Sequence, residues 1–158
     1  QASRDGLTGL YNHSYFHSLL ESQIAKQHHT HPNLGLLFMD LDGFKRINDT
    51  EGHIEGDTIL KQLGLILQNN LRQGRDQAAR YGGDEFAVLA TSITPELLEK
   101  IAQRLIDQVD AHTDGKVGLS IGISMLEPGQ IDSSAFLRQA DKALYAAKAS
   151  GGRRFSWG

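Results

Sequence analysis

The chain has 158 residues, no cysteine and a net charge of −3. Without cysteine there are no disulfides and no thiolate zinc sites, and an acidic balance argues against a general nucleic-acid surface, which is usually basic. Apolar residues make up 39% and charged residues 22%, the balance of a soluble globular domain long enough to bury a core.

No apolar stretch approaches the roughly 20 residues needed to span a bilayer, and no signal peptide is evident. The start at Gln1 rather than Met leads us to expect a piece of a longer protein. Residues 12 to 27 are predicted helical, with Phe16, Leu19, Leu20 and Ile24 on one side. QHHTHPN (27–33) reads as a solvated loop, because its three histidines match no standard ligand spacing. LGLLFM (34–39) is apolar on both faces, which predicts a strand covered above and below. It ends in Asp40-Leu41-Asp42. FKRIND (44–49) is a short helix and 56–71 a longer one, with Ile59, Leu60, Leu63, Ile66, Leu67 and Leu71 at helical spacing. Within 78–90, Gly82-Gly83 joins two strand-like runs. Two glycines suggest a two-residue hairpin turn, since glycine adopts positive φ cheaply. Asp84 and Glu85 would then open the second strand.

Thr94-Pro95 opens the next helix as N-cap and first helical residue. Its apolar stripe is Leu97, Leu98, Ile101, Leu105, Ile106 and Val109. In VGLSIGISM (117–125), Val117, Leu119, Ile121, Ile123 and Met125 alternate with Gly118, Ser120, Gly122 and Ser124. The second face is small and permits close approach. Residues 133–149 form a last helix and RRFSW a final strand. The order predicts an α/β (α+β) sandwich of the ferredoxin-like, split-βαβ kind: helices packed on a central, mostly antiparallel sheet.

Period two puts Asp40 and Asp42 on one face at the end of a buried strand. If the hairpin strand beginning Asp84-Glu85 is its neighbour, up to four carboxylates converge. Like charges that close repel unless a cation joins them. All-oxygen ligands suit magnesium with a phosphate-bearing partner. Metal-assisted phosphoryl or nucleotidyl transfer would use such a set to activate a hydroxyl and neutralise a leaving pyrophosphate. The alternative is that the acids cap helices and turns, with Asp42 capping 44–49. A calcium loop is excluded, since Phe44 falls where a third ligand belongs and no glutamate closes the loop. Free N–H groups at Asp42-Gly43-Phe44-Lys45 would cradle phosphate at a helix start, although there is no P-loop. Lys148, Arg153 or Arg154 would reach phosphates from another side, or only compensate the helix-end charge. Asn48 and Asp57 suit the edge of a guanine, or else form a turn and a cap.

Taken together these residues resemble the GGDEF domain of bacterial diguanylate cyclases, whose signature stands here as Gly82-Gly83-Asp84-Glu85-Phe86. DGLTGLYN (5–12) is similar to the family's opening motif. MDLDGFKRINDTEGHIEGD (39–57) is similar to its metal, phosphate and guanine segment. LSIGIS and ADKALYAAKASG are similar to its later strand and final helix. The resemblance covers nearly the whole chain as one GGDEF domain, 1–158, and implies a fold similar to nucleotide cyclases and polymerase palms. It implies condensation of two GTP to cyclic di-GMP and two pyrophosphates, by two-metal nucleotidyl transfer across a head-to-head homodimer. Asp40, Asp84 and the Leu41 carbonyl would hold Mg2+ (or Mn2+). Glu85 would lie beside the metals and help deprotonate the attacking 3′-hydroxyl. Phe44 and Lys45 would give N–H groups to phosphates, and Lys148 its ammonium. Asn48 and Asp57 would read guanine, and Gly82 and Gly83 would let the turn approach the α-phosphate. The resemblance also implies a cytoplasmic C-terminal output domain behind an upstream sensor, in a protein whose other domains can anchor it to a membrane. No nucleic-acid partner is expected.

Three positions depart from the family pattern. His13 stands for the arginine that ends the opening motif. Gln73 replaces the arginine of the R-x-x-D feedback site that Asp76 would complete, with Arg72 and Arg75 off register, so product inhibition is expected to be weak or absent. Gly152 stands where an arginine often follows the Lys148 position, and Arg153, one later, is the substitute expected to meet substrate. A catalytically silent GTP- or cyclic-dinucleotide-binding regulatory module is the alternative function, which a degenerate signature would favour; this one is intact. A cyclase that also takes ATP is disfavoured by Asp57, which would repel an adenine ring nitrogen. A nuclease or polymerase fragment is disfavoured by the lack of a basic surface.

Overall fold

The apolar run from Leu34 forms the middle strand of one five-stranded sheet in the computed structural model, which describes residues 3–158. This strand, β1 (Leu34–Asp42), is antiparallel to β3 (Glu85–Thr91) on one side and to β4 (Gly118–Met125) on the other. β2 (Asp76–Gly82) pairs outside β3, and β5 (Phe155–Trp157) runs parallel to β4 at the opposite edge. The order is β2-β3-β1-β4-β5. Helices α2 (Phe44–Glu51) and α3 (His53–Asn70) connect β1 to β2, and α4 (Pro95–His112) connects β3 to β4. Each crossover leaves one strand between the pair it joins, which is the expected split βαβ. The fold is α+β, with a mixed sheet flanked by helices. No helix among the described residues is long and apolar enough to cross a membrane.

Alternation along the strands feeds two cores. Leu37, Met39, Leu41, Phe86 and Val88 pack under α3 and α4. Leu36, Phe38, Ala87 and Leu89 pack under α1 (His13–Lys26) and α5 (Ser133–Ala149) with Phe16, Leu20, Phe136 and Leu144. A strand covered on both faces has no polar side, which is why β1 is buried from Leu34 through Met39. The helices begin where their caps stand. Asn12 accepts from the Tyr15 N–H (3.0 Å), Thr94 from Leu97 (3.1 Å) and Asp132 from Ser134 (2.9 Å).

The small face of β4 is small because α5 lies on it. A Cβ at Gly122 would overlap the Ala140 carbonyl oxygen and the Leu144 nitrogen, both backbone atoms of α5. Gly122→Val is therefore expected to destabilise the domain by about 3 kcal/mol, the upper range for overpacking. A urea titration measures this, and a midpoint unchanged from the parent's would show that α5 can move away.

Two of the boundaries that differ from the sequence reading lie at the site. The hairpin turn is Gly83–Asp84, not Gly82–Gly83: Gly82 is the last residue of β2 and pairs with Glu85. A register shift between Arg80 and Gly82 takes up one residue, and only Gly83 has positive φ, +30°. Asp84 thus sits in the turn rather than opening the strand. Helix α3 starts at His53, three residues before the expected Gly56, because Gly52 (φ +92°) both ends α2 and precedes α3.

Candidate active site

The strand ends bring the acids together. Asp40 is directly opposite Glu85 on β3 and Ser120 on β4. Lys148, in the last turn of α5, reaches this point from above. Its ammonium pairs with Asp40, lies 3.0 Å from Asp42 Oδ1 and donates to the Leu41 carbonyl at 3.3 Å. Burial pushes the Asp40 carboxyl up to about 6; Lys148 opposes the shift, and the charges of Asp84 and Asp42 add to it. Glu85 is also raised, by burial first and then by Asp84 and Asp141, against a lowering from His13. For Lys148 burial works downward, but the paired carboxylates of Asp40 and Asp42 outweigh it and the ammonium is held more firmly than usual.

An acid whose folded value lies above its unfolded value takes up protons on folding. Asp40 therefore erodes stability as pH rises from about 4 to about 6, and the cost stays above that window. In metal-free protein at pH 7, Asp40→Asn is expected to be more stable by about 1–2 kcal/mol, after allowing for the lost Lys148 pair. Thermal melts in chelator at pH 4 and pH 7 measure it: the gain should shrink at the lower pH, and a loss at both would contradict the assignment.

The donor set fits a small hard cation. Asp40 Oδ1 is buried and accepts no well-formed hydrogen bond. The Lys148 ammonium shows that one positive charge can sit against both the Asp40 carboxylate and the Leu41 carbonyl. Among the described residues, no three or more His, Cys, Asp or Glu side chains form a metal cage by themselves. A cation held here would therefore draw its remaining ligands from water or phosphate, as magnesium commonly does.

Beyond β1 the chain turns through Gly43 in the left-handed region (φ +82°) and enters α2. No side chain caps this end, so the first-turn N–H groups of Phe44 and Lys45 are open to an anion. The Lys45 side chain itself points outward and pairs with Asp49 at 3.2 Å. Asp42 does not cap the helix. Neither do Asn48 and Asp57 take the local roles open to them: Asn48 lies within α2 and Asp57 within α3. A Cβ at Gly56 would overlap Asn48 Oδ1, so the missing side chain is what lets the Asn48 amide reach the helix that carries exposed Asp57. Lys116 braces this corner, pairing with Glu51 and Glu55 at 3.0 Å each.

The signature turn is supported from the opening motif. Arg80 Nε donates to the Gly83 carbonyl (2.9 Å), and its Nη1 pairs with Asp5 at 3.3 Å. Asp5 in turn accepts from the Thr8 N–H (2.9 Å) and hydroxyl (2.8 Å). Gly83 has nothing near its Cβ direction, and Gly82 has only Glu85 Oε1 at 3.6 Å, so the backbone of the turn is open to a ligand. His13 replaces the expected arginine beside this hairpin, with Nδ1 3.0 Å from the Tyr81 carbonyl oxygen. Arg80 has no role in the sequence reading, where no spacing marks it, and Ser120 figures there only as one of the small residues of 117–125.

Arg153 is placed otherwise than the sequence reading expects. Its guanidinium pairs with Asp110 (3.1 Å) and donates to the Gly115 carbonyl (3.0 Å), away from the carboxylate cluster; only its backbone N–H reaches the site, at Asp42 Oδ2 (2.8 Å). Asp76 is buried and bound by Arg72, not Gln73.

Carboxylates, a lysine and an open helix start are gathered at one end of a split-βαβ sheet. The family model described as the GGDEF domain of diguanylate cyclase matches residues 2–154, and the chain belongs to that family. It is 36% identical over 153 residues to diguanylate cyclase DgcS of Shewanella oneidensis, covering 96% of this chain and 51% of DgcS. It is 35% identical to the cyclic di-GMP phosphodiesterase PdeR of Escherichia coli, covering 98% of this chain and 24% of PdeR. The chain thus spans about half or less of these relatives. The coiled coil and GGDEF domain of DgcB from Caulobacter crescentus, solved with c-di-GMP, superposes with a TM-score of 0.92 at 27% identity, over 99% of this chain and 86% of that one.

Proposed function

We propose that this domain is a diguanylate cyclase that condenses two GTP into cyclic di-GMP and two pyrophosphates. The observation that carries the reading is Glu85 paired across the strands from Asp40, with Lys148 and the open start of α2 beside them. Bound Mg2+ or Mn2+ would neutralise phosphate charge and acidify the attacking hydroxyl. Asp40, Asp84, Glu85 and the Leu41 carbonyl are the groups that would hold it. The N–H groups of Phe44 and Lys45 and the Lys148 ammonium bind the polyphosphate. The backbone at Gly82 and Gly83 lies along the α-phosphate, and Asn48 and Asp57 read the guanine edge. Glu85 takes the proton of the 3′-hydroxyl. The new bond joins that oxygen to the α-phosphorus of the second GTP, and the bond to pyrophosphate breaks. Each copy carries one nucleotide, so two copies meet head to head. In the full protein an upstream sensor would set how often they meet, on the cytoplasmic side.

The second reading is a silent GTP- or cyclic-dinucleotide-binding module, favoured by the relative named as a phosphodiesterase. The intact signature favours the enzyme. Calorimetry with GTP and ATP in magnesium tests nucleotide choice. GTP should bind at least about tenfold tighter, and Asp57→Ala should remove most of that margin. Equal binding of both nucleotides would overturn the guanine assignment.

A further inference from the structure

We propose that Asp42 is a positioning residue for Lys148: it retains the ammonium when Asp40 takes up a cation, and is not itself a ligand. This rests on the GTP site described above.

The two aspartates share a strand face but differ in chemistry. Asp42 is saturated. Its Oδ1 accepts from the Ser120 hydroxyl (2.7 Å) and lies 3.0 Å from Lys148 Nζ. Its Oδ2 accepts from the Arg153 N–H (2.8 Å) and is 2.9 Å from the Ser120 hydroxyl. Ser120 is itself fully buried. Gly152 closes the last side: at φ +74° its Cβ would lie 2.9–3.1 Å from the Asp42 carboxylate. That contact also accounts for a glycine here, since a side chain at this position would displace the carboxylate.

Asp40 is the opposite case. Its buried Oδ1 has the Lys148 ammonium against it and no well-formed hydrogen bond. A divalent cation at Asp40 and the Leu41 carbonyl would repel an ammonium that now touches both. Of the three acceptors around Lys148, Asp42 alone keeps its oxygen for it. The lysine then remains beside the polyphosphate instead of swinging free on its four-carbon stem, so less freedom is lost when GTP binds.

The test is a double-mutant cycle on the 158-residue chain. GTP dissociation constants are measured in magnesium for Asp42→Asn, Lys148→Met and the pair, with manganese binding to the nucleotide-free chain measured beside them. Asn keeps the shape of Asp42 but removes its charge and replaces one acceptor oxygen with an N–H donor. Asp42→Asn is expected to weaken GTP about tenfold, as loss of one charged hydrogen bond does. The double variant should bind within about twofold of Lys148→Met, because residues acting as one unit are not additive. Manganese binding should change by less than about threefold in Asp42→Asn and be lost in Asp40→Asn. Multiplying GTP effects, or manganese lost in Asp42→Asn, would overturn the proposal. If Asp42→Asn does not fold, Ser120→Ala serves: it should weaken GTP about threefold in the parent and not at all beside Lys148→Met, and an equal effect in both backgrounds counts against the idea. A parent that binds no GTP overturns the functional reading itself; a parent that binds GTP while Asp42 and Lys148 act independently overturns only this proposal.

Discussion

Glu85→Gln is expected to give a folded chain that binds GTP and forms cyclic di-GMP at least about 1,000-fold more slowly, within the range for loss of a general base. Glutamine keeps the size and most of the contacts of Glu85 at its place opposite Asp40. What it removes is the charge. That charge is costly where it stands, since burial and then Asp84 and Asp141 push the carboxyl upward. The variant should therefore be no less stable than the parent, which separates a chemical role from a structural one. Product is counted by mass spectrometry and binding by calorimetry. Cyclase activity within about tenfold of the parent would remove Glu85 from the proton transfer.

Arg72→Met is expected to destabilise the domain by about 3–5 kcal/mol, the cost of stranding a buried charge. The Asp76 side chain is fully buried and Arg72 surrounds it, donating from the backbone N–H (2.8 Å), from Nε (3.1 and 3.2 Å) and from Nη2 (2.7 Å). The same guanidinium donates to the carbonyls of Thr91 (2.8 Å) and Ser92 (3.0 Å), tying the α3–β2 loop to the end of β3. Against a total stability of roughly 5–15 kcal/mol the loss is large. Urea unfolding measures it, with Gln73→Arg as the near-neutral control and Arg72→Met/Asp76→Leu expected to recover much of it. A single variant that melts with the parent would mean that Asp76 finds water. The clasp also engages both Asp76 oxygens, so we expect cyclic di-GMP to inhibit the parent weakly and Gln73→Arg to restore little.

Much of this was legible in the sequence. The unbroken apolar run before Asp40, the strict alternation of 117–125 and the Thr94-Pro95 helix start each have one physical reading, and the fold contains all three, as β1, β4 and α4. The pairing of Asp40 with Glu85 followed once β3 proved to be the neighbour of β1. The turn was less determined, because two adjacent glycines allow positive φ at either and only the strand register selects Gly83. Asp42 was undecided between ligand and cap, and it is neither a cap nor a free carboxylate. Its partners lie 78 and 111 residues away, at Ser120 and Arg153, beyond any local pattern. Arg153 shows the converse. A basic residue near the end of α5 reads as a phosphate group, but positive φ at 153 turns its side chain toward Asp110.

The most direct measurement is to incubate the 158-residue chain, at high concentration, with GTP and magnesium and to weigh the products. Two bound nucleotides must meet, so the rate should rise more steeply than protein concentration. Cyclic di-GMP and pyrophosphate in a one-to-two ratio are the predicted result. GTP that binds tightly and returns unchanged at every concentration would contradict the cyclase and leave the silent module in its place.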